Sequence, residues 1–323
     1  MKVHIVGGSG FIGTYLQRRL YSKIDFTNID IKLSNVYKEQ HRYADVRDEK
    51  ELLKVIDKAD CLVLLSAEHK DNVKPISLYY DVNVNGAKNI VNVAIERGIR
   101  KIIFLSSVAV YGFNNYLTNE NHLPFPNNHY GTSKFQAEKI LEDWYNNDTQ
   151  NRSLIIIRPT VVFGPGNRGN VHNLLKQIFS KKFIMIGSGE NKKSMAYVEN
   201  LVEFIHYCIV ENKKMNGKNI INFVDKPDLT LNELVKISSG IMGKSIFPFK
   251  IPYLIGLLIG YFFDLLSFIM KKKFEISSVR VKKFCTSTQY DSNILSTFDF
   301  RPPFSLFEGL SKTIISISNE ENI

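Results

Sequence analysis

"MKVHIVGGSGFIGTYLQRRL", residues 1–20, sets a β-branched run, a glycine cluster and a run of helical periodicity in immediate succession. "KVHIV" is short and mostly apolar, as a buried parallel strand is, and "FIGTYLQRRL" places Phe11, Ile12, Leu16 and Leu20 close to helical spacing. Between them lies "GGSGFIG", in which Gly8, Gly10 and Gly13 fit G-x-G-x-x-G and Gly7, Gly10 and Gly13 fit G-x-x-G-x-x-G. Glycine is needed where a strand turns at once into a helix. The backbone must fold tightly and offer the first N–H groups of the helix, around Phe11 and Ile12, to an anion with no Cβ in the way. Alone, the cluster reads equally well as an ordinary glycine turn.

Its context decides the fold. A second strand, "DFTNID", ends in Asp30, the acid expected about 20 residues after such a turn, where a carboxylate accepts hydrogen bonds from an adenosine ribose. A carboxylate there repels a 2′-phosphate, which favours NAD over NADP. The alternation continues through "HRYADV", "EKELLKVI", "DCLVLLSA", "PISLYYDVNVNGAKNIVNVAIERG" and "KIIFLSS". Near-continuous apolar strands alternating with helices predict an α/β protein built on a Rossmann-type doubly wound parallel sheet. Beyond residue 165, "NVHNLLKQIFS", "KFIMI", "MAYVENLVEFIHYCIV", "NIINFV" and "TLNELVKISSGIMG" predict a smaller C-terminal α/β substrate domain. We therefore expect an NAD-binding domain over 1–165 and a substrate domain over 166–323, with an interleaved boundary.

Composition agrees with a globular protein. The chain is 44% hydrophobic and 12% aromatic, above what a solvated disordered chain carries. Its net charge of +10 favours anionic partners such as phosphates, acidic headgroups or nucleic acid. No nucleic-acid module interleaves the basic residues, so nucleic acid is not expected. Cys61, Cys208 and Cys285 are scattered, with no C-x-x-C pair, and read as reduced thiols of a cytosolic protein. His69, His122, His129 and His172 lack ligand spacing, so no metal is expected. The opening residues show no apolar h-region before a cleavage site, so no signal peptide is expected.

Two segments supply the chemistry. "FLSSVAVYG" puts Ser106 and Ser107 at the C-terminal end of a predicted strand, the edge where ligands gather in open α/β sheets. "HYGTSKFQAEKIL" puts Tyr130 and Lys134 four residues apart, on one face of a helix. A phenol of ordinary pKa about 10 is a poor base at neutral pH. A lysine ammonium one turn away, together with a cationic nicotinamide ring, is expected to lower it, so that Tyr130 accepts a proton from a sugar hydroxyl as hydride leaves the same carbon.

In this order and company the motifs resemble the extended short-chain dehydrogenase/reductase family, the nucleotide-sugar epimerases and dehydratases, over nearly the whole chain. The resemblance implies that Ser107 holds the substrate hydroxyl, Tyr130 is the acid/base and Lys134 binds the nicotinamide ribose. It implies a cofactor site of Gly7, Gly10, Phe11, Ile12, Gly13 and Asp30, with Asp45 and Val46 at the adenine. Leu65, Ser66 and Ala67 would line the phosphate side, with Asn83, Pro159, Tyr130 and Lys134 also at the cofactor. Ser106 is expected to be structural. Dehydratases of the family carry an Asp-Glu pair directly after the serine or threonine, where this chain has Val108 and Ala109, so dehydration is not expected. Soluble UDP-galactose 4-epimerases read R-Y-F-N where this chain has Arg158, Pro159, Thr160 and Val161, which argues against a plain UDP-hexose.

"IPYLIGLLIGYFFDLLSFIMKKK", residues 251–273, is the outlying segment. Its apolar run has about the length of a membrane span. Asp264 within it, Pro252 at its start and Gly256 and Gly260 oppose spanning. A buried helix and an interfacial helix both fit. Tyr253, Tyr261, Phe262, Phe263 and Phe268 supply interfacial aromatics. Lys271, Lys272, Lys273, Arg280, Lys282 and Lys283 form a basic cluster suited to an anionic surface, making 251–283 a membrane-proximal segment.

The runs "LLSAEHKDNVKPISLYYDVNVNG", "RPTVVFGPGNRGNVHNLLKQI", "KKSMAYVENLVEFI", "FVDKPDL" and "SSVRVKKFC" further resemble the bacterial 4-epimerases acting on N-acetylglucosamine linked through diphosphate to undecaprenol, for O-antigen assembly. That resemblance implies a polyprenyl-diphosphate-linked amino sugar as substrate and a 4-keto intermediate. It implies a peripheral place on the cytoplasmic face of the inner membrane, in an otherwise cytoplasmic protein, and the resemblance to the extended family implies a homodimer through helices of the Rossmann domain. Asn167, Arg168, Lys193 and Arg280 are the candidates for the diphosphate. A 4-keto nucleotide-sugar reductase or a UDP-sugar 4-epimerase would use the same three residues. A non-catalytic Rossmann binding protein would not need them.

Overall fold

The computed structural model describes residues 1–70, 73–113, 116–180, 183–211, 215–243, 249–272, 274 and 276–321. Lys273 of the basic cluster lies outside them. The order of elements is β1 (Lys2–Val6), α1 (Phe11–Leu20), β2 (Asp25–Ile29), β3 (His41–Arg42), α2 (Glu49–Val55) and β4 (Cys61–Leu64). Next, α3 (Ser77–Tyr79) runs through a π-helical turn (Tyr80–Asn85) into α4 (Gly86–Glu96), followed by β5 (Lys101–Leu105), α5 (His129–Asn146) and β6 (Ser153–Pro159). The second half adds β7 (Val161–Phe163), α6 (Asn170–Phe179), β8 (Ile184–Ile186), β9 (Lys192–Tyr197), α7 (Val198–Val210), β10 (Lys218–Phe223) and β11 (Asp225–Thr230). It ends with α8 (Leu231–Met242), β12 (Phe249–Ile251), α9 (Tyr253–Met270), α10 (Ser278–Cys285) and α11 (Leu306–Glu321).

Seven parallel strands order as β10-β6-β5-β4-β1-β2-β3. The order reverses direction between β1 and β4, which opens a crevice at their C-terminal ends. Alternating side chains explain why the strands are apolar on both faces. Val3, Ile5, Cys61, Val63, Ile103 and Ile155 meet α1 and α7 on one face, while Val6, Leu62, Leu64, Ile102, Phe104 and Ile156 meet α4 and α5 on the other. β10 and α7 come from beyond residue 165, so the second half completes the nucleotide-binding layers. "HRYADV" forms only the two-residue β3.

The substrate region carries two small sheets, β11-β9-β7 and β12-β8. α8 is fixed locally by a Thr230/Glu233 capping box and ends at Gly243 in the left-handed conformation (φ +60°). α9 is a single helix over the apolar run, and only its Gly256 and Gly260 are buried. It is therefore not a core helix.

Candidate active site

The turn after β1 lies at the crevice. Gly7 has φ +86°, and a Cβ there would stand 2.3 Å from the Ser66 backbone nitrogen; a Cβ on Gly13 would stand 2.3 Å from the Gly8 carbonyl oxygen. Glycine is thus required at both, first to turn and then to seat α1 on the loop. Gly10 caps α1 without any side-chain hydrogen bond, which leaves the N–H groups at Phe11 and Ile12 for an anion. Beside Gly7, the buried Ser66 hydroxyl has no protein partner. Asp30 accepts from the Ser9 N–H at 3.0 Å and the Lys32 N–H at 2.9 Å, and a carboxylate has about four acceptor positions, so room remains for ribose hydroxyls. These residues fit a dinucleotide: a cradle only glycine permits, an unpartnered hydroxyl and an acid at the end of β2.

The remaining cofactor candidates are placed around that cradle. Leu65 and Ser66 hang from the Val6 carbonyl at 2.8 and 2.9 Å, with Ala67 following. Asp45 is bound by Arg47, whose guanidinium holds the carboxyl below its usual range. Val46 is buried under Gly86 of α4. Asn83 is a bracket: its carbonyl accepts from the Glu68 N–H at 2.8 Å and its amide donates to Ser133 of α5 at 2.8 Å. Pro159 closes β6 opposite Phe223.

Ser107, Tyr130 and Lys134 converge. Ser107 follows β5, and its hydroxyl accepts from the Ala109 N–H at 3.1 Å at the head of a short 3₁₀ turn. Asn128 caps α5 by accepting from the Gly131 N–H at 2.8 Å, which starts the helix one residue before Tyr130. Gly131 lets α5 seat against that turn, since a Cβ there would stand 2.4 Å from the Ala109 carbonyl. Burial pushes the Tyr130 phenol up to about 12, and the neighbouring Ser107 hydroxyl opposes it.

The Lys134 ammonium donates to the Leu105 carbonyl at 2.7 Å and lies 4.5 Å from the centre of the Phe104 ring. Burial pushes Lys134 down to about 7, against the pull of Glu138 one turn on.

Glu138 belongs to a buried network that the sequence reading missed. Arg158 donates two bonds to it, at 2.9 and 2.6 Å, and a third to the Tyr111 hydroxyl at 2.7 Å. Tyr111 donates in turn to Asn222 at 2.9 Å, and Ser106 donates to Glu138 at 2.5 Å. Burial alone lowers Arg158, but its bonds to Glu138 and Tyr111 outweigh that and hold it above its ordinary value. Ser106 is thereby a structural tie between β5 and α5. The available signal was position: Glu138 lies four residues past Lys134 and eight past Tyr130, near their face of the helix. Glu142 reads from sequence as a solvated face, yet it is largely buried between Lys139 at 2.7 Å and Lys218 at 3.2 Å.

The diphosphate candidates divide. Lys193 donates to the Lys283 carbonyl at 3.0 Å and the Thr286 carbonyl at 2.6 Å, and burial pushes it down to about 8. Arg280 lies in the first turn of α10, at the other end from the carbonyls that hold Lys193. Asn167 folds onto its own loop, accepting from the Gly169 N–H and donating to the Val162 carbonyl at 3.2 Å. Arg168 is exposed and paired with Glu320 of α11 at 3.2 Å.

Comparison with known proteins agrees with this geometry. The N-acetyl-α-D-glucosaminyl-diphospho-ditrans,octacis-undecaprenol 4-epimerase of Escherichia coli O157:H7 is 48% identical over 97% of this chain and 94% of its own length. The UDP-glucose 4-epimerase of Vibrio cholerae is 28% identical over 96% of this chain and 93% of its own. In fold, the chain matches the crystal structure of UDP-glucuronic acid 4-epimerase from Bacillus cereus in complex with NAD, with a TM-score of 0.75, 20% identity and 99% of each chain covered. Residues 3–223, from β1 to the end of β10, match the NAD dependent epimerase/dehydratase family, whose cofactor the cradle at Gly7 and Asp30 fits. The chain belongs to that family.

Proposed function

We propose that this protein is an NAD-dependent sugar 4-epimerase that interconverts N-acetylglucosaminyl- and N-acetylgalactosaminyl-diphospho-undecaprenol, supplying an amino-sugar lipid for O-antigen or other surface polysaccharide. The observation that carries the choice of substrate is the near-full-length similarity to the E. coli O157:H7 enzyme, which is named for that lipid-linked sugar.

NAD, when bound, accepts hydride from C4 of the sugar, returns it, and brings a positive charge to the site. The chain's own residues do the rest. Ser107 orients the C4 hydroxyl, and Tyr130 takes its proton, leaving a 4-keto sugar. That sugar turns over about its phosphate linkage, so that the other face of C4 meets the cofactor site, and Tyr130 gives the proton back to the same C4 oxygen. Lys134 has three N–H donors and commits one to Leu105, so two remain for ribose hydroxyls. Because burial holds the phenol high, proton removal depends on charge that arrives with the cofactor.

A lipid-borne substrate requires that the enzyme dock on the bilayer, at the cytoplasmic face of the inner membrane in this reading. α9 supports this: it is long and apolar enough to cross a membrane, with mean hydropathy 2.0, yet only 11% of that run is buried in the protein. A homodimer through helices of the nucleotide-binding layer belongs to the same proposal, and its mass in solution tests it. The experiment for the function presents lipid-linked and UDP-linked N-acetylglucosamine side by side and analyses the released sugar. Conversion of the lipid-linked form supports the reading. Conversion of the UDP form alone overturns the substrate and leaves the epimerase mechanism standing.

A further inference from the structure

α9 has its polarity reversed relative to a helix of a soluble domain. Its outward arc carries Leu254, Leu258, Phe262, Leu265, Phe268 and Ile269, between 57% and 83% exposed. The inward arc carries the small and polar residues. A Cβ on Gly256 would stand 2.4 Å from the Ile186 side chain, and one on Gly260 would stand 2.7 Å from Ser278 Cα. Asp264 accepts from the Ser278 N–H at 3.2 Å, at the start of α10. The carboxylate that opposed a lipid location in the sequence therefore faces protein, not the apolar arc.

The contacts also decide the orientation. At about 1.5 Å per residue the helix is about 27 Å long, close to the hydrocarbon thickness of a bilayer. Length alone would let it cross. The globular body, however, holds α9 at 256, 260 and 264, through its middle. Lys282 of α10 reaches the Tyr261 hydroxyl at 3.2 Å, halfway along. A perpendicular α9 would carry Lys282, Asp264 and the first turn of α10 to the bilayer midplane, where charge is costly. Lys271 reverses the chain in the left-handed conformation (φ +51°), and α10 then packs back on α9.

We infer that α9 lies in the plane of the membrane interface, its Leu254-to-Ile269 arc immersed among the outer acyl segments and α10 at headgroup depth. This rests on the membrane docking proposed above and adds its geometry. Lys271, Lys272, Arg280, Lys282 and Lys283 lie along α10 or at the end of α9, a cationic rim suited to anionic headgroups. These cations border the apolar arc as anionic headgroups border an acyl layer, so lipid is the occupant. The rim also leads to the catalytic loop: the Lys283 ammonium lies 5.3 Å from the ring of Phe113, which follows the Ser107–Tyr111 turn by two residues. A diphosphate at headgroup depth would thus lie beside α10, on the side that leads to the catalytic loop.

The test uses three full-length variants, Leu254→Trp, Phe262→Trp and Phe268→Trp, each checked for NADH binding to confirm folding. The native Trp144 is buried and serves as the background. Each is mixed with phosphatidylethanolamine/phosphatidylglycerol vesicles brominated at a shallow or a deep acyl position. The inference predicts that all three are quenched most by the shallow bromines and to about the same extent. It also predicts that Lys282→Gln with Lys283→Gln weakens binding to these vesicles at least tenfold, but not to neutral ones. Deepest quenching at position 262 with shallow ends would overturn the flat orientation while docking stands. No quenching, with a mass in solution that Leu258→Lys halves, would overturn docking itself in favour of a second copy. The epimerase reading is scored separately on a short-prenyl substrate in solution.

Discussion

The Lys134 ammonium donates to the Leu105 carbonyl at 2.7 Å, tying the helix that bears Tyr130 to the strand end that bears Ser107. The bond fixes the side chain at the cost of burying a charge, which is why Lys134 is pushed down to about 7. A base lowered in the folded state binds fewer protons than the unfolded chain between about 7 and its ordinary 10.5, so its penalty is full below pH 7 and fades as pH rises. Relative to Lys134→Met, the natural protein should therefore gain roughly 3 kcal/mol of stability between pH 6 and pH 9. Urea unfolding of both proteins at the two pH values reads this; a difference that does not change with pH contradicts it.

The Glu138–Arg158 pair is buried on both sides. Removing one partner leaves the other charge unpaired, so Glu138→Gln should cost about 3–5 kcal/mol. Replacing both residues with methionine should cost less than the two single changes added together. Denaturant midpoints of the three variants measure this, and strict additivity would mean the pair is not coupled.

Gly7→Ala should abolish NADH binding, because the new Cβ meets the Ser66 backbone and the residue sits at φ +86°. Gly98 provides the control. It also has positive φ, +65°, but open space around its Cβ position. Gly98→Ala should cost only about 1–2 kcal/mol of stability and leave the cofactor affinity unchanged. Isothermal titration with NADH separates strain from cradle.

The parts legible in the sequence were those written as local patterns. Glycine spacing, strand-end serines and the four-residue interval from Tyr130 to Lys134 report backbone geometry directly, so the sheet, α1 and α5 fall where the periodicity puts them. Partners distant in sequence were not legible. Lys193 looks like a free cation until the fold places the end of α10 against it, 90 residues away. Glu142 looks solvated until Lys218 of β10 closes over it. The same holds for Lys134: intervals along a helix show which residues share a face, not that its ammonium is directed at the Leu105 carbonyl. For α9 the hydropathy was plain, but its unburied arc and the inward turn of Asp264 required the packing of α10.

The central claim is that the Tyr130 hydroxyl moves the C4 proton, and Tyr130→Phe tests it most directly. The variant should turn over N-acetylglucosaminyl-diphospho-undecaprenol about 10²- to 10⁴-fold more slowly while binding NADH as the natural protein does. Undiminished turnover in a variant that still binds NADH would remove Tyr130 from the chemistry and contradict the account.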